Sequence, residues 1–204
     1  MNRRSLMQLA ASAALPLSAP AARAEAVDRR ALLADPEAPT VGNPQGDLTI
    51  VAFTDYNCPY CKSSAWPLDR TVKTDGRIRL VYKDWPILAE SSVFGAQLAL
   101  GAHRQGRYET AHMALMGIPD RGASQERMLA AVRATGIDMA RLQADLDAHS
   151  PAIIALLRRN MGQAEALGLR GTPTFLIGPL RTMALDEAGF RRAVSEARRR
   201  QAGN

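Results

Sequence analysis

At 204 residues, 47% hydrophobic and 23% charged, the chain has the composition of a folded globular protein, with length for one domain carrying an insertion. That composition excludes a disordered, collagen-like or coiled-coil chain. The net charge of +6 falls to about +3 without the basic leader, a balance that does not support a nucleic-acid-binding role.

The amino terminus has the anatomy of an export leader. Met1-Asn2-Arg3-Arg4 is basic, residues 6–22 are uncharged and rich in alanine, and Ala22-Arg23-Ala24 fits a small-x-small cleavage site. Residues 1–24 are therefore expected to be a signal peptide, which places the mature chain, from Glu25, in the periplasm. A membrane anchor is disfavoured by Pro16, Pro20 and the shortness of the apolar run. Arg3-Arg4-Ser5-Leu6-Met7 also fits a twin-arginine signal, although paired arginines occur in ordinary leaders.

Residues 25–47 hold Pro36, Pro39, Gly42, Pro44 and Gly46 and read as an irregular lead-in after a short helical piece. Residues 48–53 are a strongly apolar strand. Residues 54–57 then turn into Cys58-Pro59-Tyr60-Cys61, a helix continues over 62–74, and Gly76 stops it. Residues 78–82 alternate as a second strand. From Trp85 the period becomes helical, with helices predicted over 91–105, 108–116, 125–135, 139–149 and 152–167. Ser150-Pro151 is expected to open the last of these. Strand character returns over 174–177, and a final helix runs over 186–200. Its arginines, Arg191, Arg192, Arg198, Arg199 and Arg200, are interspersed with Glu187 and Glu196 and read as a solvated face.

This order implies a right-handed β–α–β unit followed by a helical block that sits as a cap rather than threading the sheet. The expected fold class is α/β with an inserted helical domain. Its parts are 48–84, the insertion 85–168, and 169–204.

The chain has two cysteines, Cys58 and Cys61. A bond between them closes a small ring and adds little stability by loop closure, so a reactive pair is the better reading. A thiolate is the nucleophile in disulfide exchange, and a helix N-terminus favours the anion through its unpaired N–H groups and dipole. Cys58 stands where the strand ends and the helix begins. Pro59 suits the first helical turn because it has no N–H to lose there. Cys61, one turn on, is placed to resolve a mixed disulfide. Cys58 should attack and Cys61 should be the more buried. A zinc site would need two further ligands, and His103, His112 and His149 lack ligand spacing. Each histidine reads as a surface or capping residue. A copper(I) site on both thiolates and an inert pair remain alternatives.

Phe53-Thr54-Asp55-Tyr56-Asn57-Cys58-Pro59-Tyr60-Cys61-Lys62, combined with Gly171-Thr172-Pro173-Thr174-Phe175, resembles the DsbA-like thiol–disulfide oxidoreductases of thioredoxin-like fold, in their Com1/ScsC-type branch. Asp35-Pro36, Val41-Gly42-Asn43-Pro44, Gly46-Asp47, Lys83-Asp84-Trp85-Pro86-Ile87-Leu88, Ser91-Ser92 and Gln105-Gly106-Arg107-Tyr108 extend the likeness over about residues 33–177. The resemblance implies that Cys58 is the nucleophile and Cys61 the resolving thiol. It also implies that Pro59 and Tyr60 tune the potential, and that Thr172-Pro173 is a cis peptide holding the substrate backbone. It implies no metal or organic cofactor. The implied partners are cysteine-containing exported proteins and a membrane redox partner that resets the disulfide.

Two departures stand out. Relatives often carry an acid six residues before the first cysteine, and here that position is Ala52. Asp55 and Lys83 are weak substitutes for its proton-transfer role. The segment after Ile177 is also short, so the last edge strand is expected to be truncated or absent. The brief lead-in favours a monomeric oxidant, and Thr172 leans toward an isomerase or reductase. A copper-binding or chaperone module is the alternative of another class.

Overall fold

The computed structural model describes residues 28–119 and 122–203. The expected leader, 1–24, lies outside the described residues. In chain order the elements are α1 (Arg29–Leu33), β1 (Thr40–Gly42), β2 (Leu48–Thr54), α2 (Pro59–Asp75), β3 (Ile78–Asp84), α3 (Glu90–His103), α4 (Tyr108–Met116), α5 (Gln125–Arg133), α6 (Met139–Ala166), β4 (Thr174–Ile177), β5 (Leu180–Thr182) and α7 (Glu187–Ala202). Among the described residues, no helix is long and apolar enough to cross a membrane.

The sheet order is β1-β3-β2-β4-β5. β2 and β3 run parallel, Leu48 opposite Ile78 through Thr54 opposite Asp84. The other pairs are antiparallel. A parallel pair needs a crossover, and α2 supplies it. Strand alternation sends Ile50, Ala52, Leu80 and Tyr82 into a core with Cys61, Leu68, Phe190 and the helical block. Val51, Phe53 and Val81 face the other way, onto Leu32, Trp85 and Ala164. The sheet is thus covered on both faces, and α3–α6 are inserted between β3 and β4.

Two local expectations are corrected, and one that left two outcomes open is resolved. The lead-in contains a strand: β1 pairs with β3, too short to carry a readable period. Gly42 closes it at φ 77°, where an added Cβ would lie 2.4 Å from the Ile78 carbonyl oxygen. The edge strand after Ile177 is present as β5, three residues long, paired with β4. Residues 139–149 and 152–167 are one helix, with Pro151 inside it. An interior proline costs about 3 kcal/mol. Burial of Leu142 before the proline and of Ile153, Leu156 and Leu157 after it holds both halves on one core, at roughly 1.5–3 kcal/mol for each side chain fully buried.

The arginine face of α7 is only partly solvated. Arg191 pairs with Glu187, and Arg199 and Arg200 pair with Glu196, within the helix. Arg198 instead turns inward and bonds both oxygens of Asp75 at 2.7 Å and Asp47 at 2.7 Å. Arg198 thereby ties α7 to the end of α2. Arg198→Met should lower the unfolding free energy by about 1–2 kcal/mol in urea, whereas Arg191→Met should be close to neutral because its pair is exposed.

Candidate active site

β2 ends at Thr54, and residues 55–57 make a turn closed by Cys58 N–H donating to the Asp55 carbonyl at 3.1 Å. Cys58 is the N-cap of α2: its backbone is extended and its sulfur accepts from Cys61 N–H at 3.3 Å. Pro59 occupies the first helical turn, and Gly76 ends the helix at φ 70°. The sequence thus places a sulfur where a helix offers its unpaired amides.

Both cysteines are buried, Cys61 the more so. Cys58 has its pKa lowered to about 6. The largest cause is the Cys61 thiol donating to its sulfur. Burial opposes this, and the Thr172 hydroxyl and the amides of Cys61 and Tyr60 reinforce it. The buried Thr172 hydroxyl has no close hydrogen-bond partner of its own and acts on both sulfurs. As a thiol, Cys58 donates to the Thr172 carbonyl at 3.2 Å. Cys61 is pushed strongly the other way, chiefly by burial and then by Cys58, although its sulfur accepts from Asp55 N–H at 3.5 Å. One sulfur is an anion at neutral pH and its neighbour holds a proton.

The sign of the pH dependence follows. A depressed pKa contributes stability above the unfolded value, here 9.0, and that stability is lost as pH falls through about 6. At pH 7 the thiolate favours the folded, reduced form by about 1.4 kcal/mol. The oxidised form has no thiol to ionise. Iodoacetamide labelling of Cys58 should therefore rise with a midpoint near pH 6, and a midpoint near the ordinary thiol value would contradict this geometry.

The Thr172–Pro173 peptide is cis and its loop lies against Cys58. On the other side, residues 86–89 and the start of α3 are pinned to the 55–58 turn. Asp55 accepts from Ile87 N–H at 2.8 Å and Leu88 N–H at 3.0 Å with one oxygen. Its other oxygen accepts from Asn57 N–H and Ser92 O–H, both at 2.7 Å. The Asn57 side chain reaches Ser91 and Ser92 at 2.9 Å and takes Ala123 N–H at 2.9 Å. Around the thiol, Tyr60 is 66% exposed, Leu88 53% and Ile87 43%.

The two weak substitutes for an acid at position 52 fare differently. Lys83 points to the opposite face of the sheet and lies 3.4 Å from Asp35, because residue 83 alternates away from Tyr82. It is excluded from the site. Asp55 is adjacent, but both its oxygens are already occupied by donors. His112, read as a surface or capping residue, is instead fully buried among Tyr56, Tyr82 and Tyr108. Its i,i+4 spacing from Tyr108, on the face of Ala111 and Leu115, is the signal that a closer reading of α4 offers.

The DSBA-like thioredoxin domain matches residues 49–190, most of the chain. The chain belongs to that family. Among solved structures, a thioredoxin-like oxidoreductase from Silicibacter pomeroyi DSS-3 is 39% identical, with a TM-score of 0.76 over 84% of this chain and 98% of that one. The thiol-disulfide exchange protein α-DsbA2 from Wolbachia pipientis is 26% identical, TM-score 0.76, over 82% and 90%. The catalytic domain of Proteus mirabilis ScsC is 26% identical, TM-score 0.75, over 85% and 96%. The Na(+)/H(+) antiporter NhaA of Herminiimonas arsenicoxydans is 28% identical over 81% of this chain but only 26% of its own length. The chain thus spans about a quarter of the curated relatives it matches. The resemblance to DsbA-like oxidoreductases holds, as does the thioredoxin-like fold with inserted helices.

Proposed function

We propose that the chain is a periplasmic thiol–disulfide oxidoreductase acting as a net oxidant on cysteines of exported proteins. The observation that carries this reading is the split between the cysteines, Cys58 ionising near pH 6 and Cys61 held as a thiol. In the proposed step, a substrate thiolate attacks the Cys58 sulfur of the oxidised pair. The S–S bond breaks, a substrate–Cys58 bond forms, and Cys61 leaves and takes up a proton. A second substrate thiolate then attacks the substrate sulfur, and Cys58 leaves as a thiolate. The substrate gains a disulfide and the pair is reduced. Stabilising the Cys58 thiolate stabilises the reduced enzyme and makes its disulfide oxidising.

The Thr172–Pro173 loop would hold the substrate backbone beside Cys58, and Pro59 and Tyr60 would tune the thiolate's surroundings. The exposed Tyr60, Ile87 and Leu88 favour a polypeptide substrate over a small thiol. The periplasmic location rests on the leader expected at 1–24, and resetting the pair calls for a membrane redox partner. In this layout 25–47 is a lead-in, 48–84 and 169–204 form the thioredoxin part, and 85–168 is the insertion.

The test is the equilibrium reduction potential of Cys58–Cys61 against glutathione. A value near about −120 mV supports a net oxidant, and one near about −200 mV or lower overturns that role in favour of an isomerase or reductase.

A further inference from the structure

Behind the active-site turn lies a chain of buried polar groups that disulfide exchange does not use. The β2–β3 register, Ala52 opposite Tyr82 and Thr54 opposite Asp84, puts Asp84 on the same face as Ala52. Asp84 is fully buried. The Tyr108 hydroxyl lies 3.0 Å from both of its carboxyl oxygens. Tyr108 OH is 3.5 Å from Tyr56 OH, and Tyr56 OH is 3.0 Å from His112 Nδ1. Tyr82 packs on the imidazole at 4.4 Å and on Tyr108 at 5.2 Å.

We propose that Asp84, Tyr108, Tyr56 and His112 form a polarity switch, a hydrogen-bonded chain that reverses direction when Asp84 gains or loses its proton and so carries pH into the active-site turn. The reversal follows from counting protons. Each tyrosine hydroxyl has one proton and so donates in one direction at a time. Burial holds His112 neutral, with its pKa lowered to about 3, so the ring carries one N–H. When Asp84 is protonated, it donates to Tyr108, Tyr108 to Tyr56, and Tyr56 to His112 Nδ1, leaving the ring proton on Nε2. When Asp84 is ionised, Tyr108 donates to the carboxylate, Tyr56 to Tyr108, and His112 Nδ1–H to Tyr56. Four protons become three. The O–H bond of Asp84 and the Nε2–H bond are broken, an Nδ1–H bond is formed, and one proton goes to solvent.

Burial is the main cause that raises Asp84 to about 7, with the charge of Asp55 adding to it and the tyrosine hydroxyls opposing. The reversal therefore falls near neutral pH. Other titratable groups face the cluster. Asp69 on α2 acts on Tyr82 and His112, Glu109 on α4 acts on Tyr82, and His103 on α3 lies edge-on to Tyr108. Lys73 bridges Asp69 and Glu109. From α6 comes neutral Asn160, donating to the Asp84 carbonyl at 3.1 Å. Tyr56, in the middle of the chain, lies between Asp55, whose amide touches the Cys61 sulfur, and Asn57, which precedes Cys58. The tyrosines and Asp84 act here as positioning residues.

The switch does not depend on the exchange reading, and its test needs no substrate. The full chain is labelled with ¹³C,¹⁵N-histidine, and the His112 resonance is assigned by its loss in His112→Gln. In the wild type, His112 should be mainly Nε2–H at pH 5 and mainly Nδ1–H at pH 8.5, a change of at least tenfold in tautomer ratio. In Asp84→Asn the ratio should be the same at both pH values. In Tyr56→Phe, which keeps the acid but cuts the chain, His112 should also stop following pH. A wild-type ratio that stays constant overturns the switch, as does a shift that survives in Asp84→Asn or in Tyr56→Phe. Should Asp84→Asn not fold, the Tyr56→Phe result decides alone.

Discussion

Cys58→Ser should reduce turnover of a dithiol peptide to the uncatalysed background, whereas Cys61→Ser, offered a peptide disulfide, should keep the attack of Cys58 on it and stall as a mixed disulfide through Cys58. The asymmetry follows from the two sulfurs. At pH 7 a thiol of pKa 9 is about 1% ionised and one of pKa 6 about 90%, a gain near ninetyfold in thiolate. Intrinsic nucleophilicity falls with pKa, at a Brønsted coefficient of about 0.4–0.5, and over three units takes back roughly twentyfold. Attack by Cys58 thus gains only a few-fold. Its departure from a mixed disulfide gains without that offset, because a low-pKa thiol is the better leaving group. Both effects favour release of Cys58, as the proposed oxidant role requires. Non-reducing gels of Cys61→Ser incubated with a disulfide-bonded peptide should show the adduct, formed as the Cys58 thiolate breaks the peptide S–S bond and a peptide thiolate leaves, and Cys58→Ser should show none. An adduct formed through Cys61 in Cys58→Ser would refute the assignment of roles.

The parts of this arrangement legible in the sequence are local. Cys58 as cap, Pro59 in the first turn and Gly76 at the end are next to one another in the chain and obey helix-end chemistry that needs no partner. β2 and β4 are apolar runs set by burial on both faces, and β3 is read from its alternation. What was not legible depends on residues far apart. Asp55 looked like a weak acid candidate because its partners, Ile87, Leu88 and Ser92, lie more than thirty residues on. The chain from Asp84 to His112 joins β3, α4 and the turn after β2 in the same way. Lys83 is a different case: its alternation with Leu80 and Tyr82 already placed it on the far face. The local rule for proline predicts a break at Pro151, whereas packing along the whole length of α6 holds it as one helix.

The second large effect is expected at Asp55, a residue that touches no substrate. Its carboxylate accepts from three backbone amides and a serine hydroxyl, and Asp55→Ala removes all four acceptor contacts. A buried donor left unpaired costs about 1–3 kcal/mol. The Ser92 hydroxyl can rotate and the exposed Ile87–Leu88 loop can admit water, so the loss should be about 3–5 kcal/mol, at the top of the range for a single substitution. Asp55→Asn should cost less, about 1–2 kcal/mol: its oxygen can serve Ile87 and Leu88, its amide can donate to Ser92, and only Asn57 N–H then faces a donor. Urea unfolding of the reduced proteins measures both. The same variants separate positioning from bulk stability. The Asp55 amide bonds the Cys61 sulfur and the Asp55 carbonyl holds Cys58 N–H, so loosening this turn weakens the donors that hold the Cys58 thiolate. Its ionisation midpoint should then move up from about 6 toward the ordinary thiol range, more in Asp55→Ala than in Asp55→Asn. A midpoint unchanged in a destabilised Asp55→Ala would mean that α2 presents the thiolate without help from the turn.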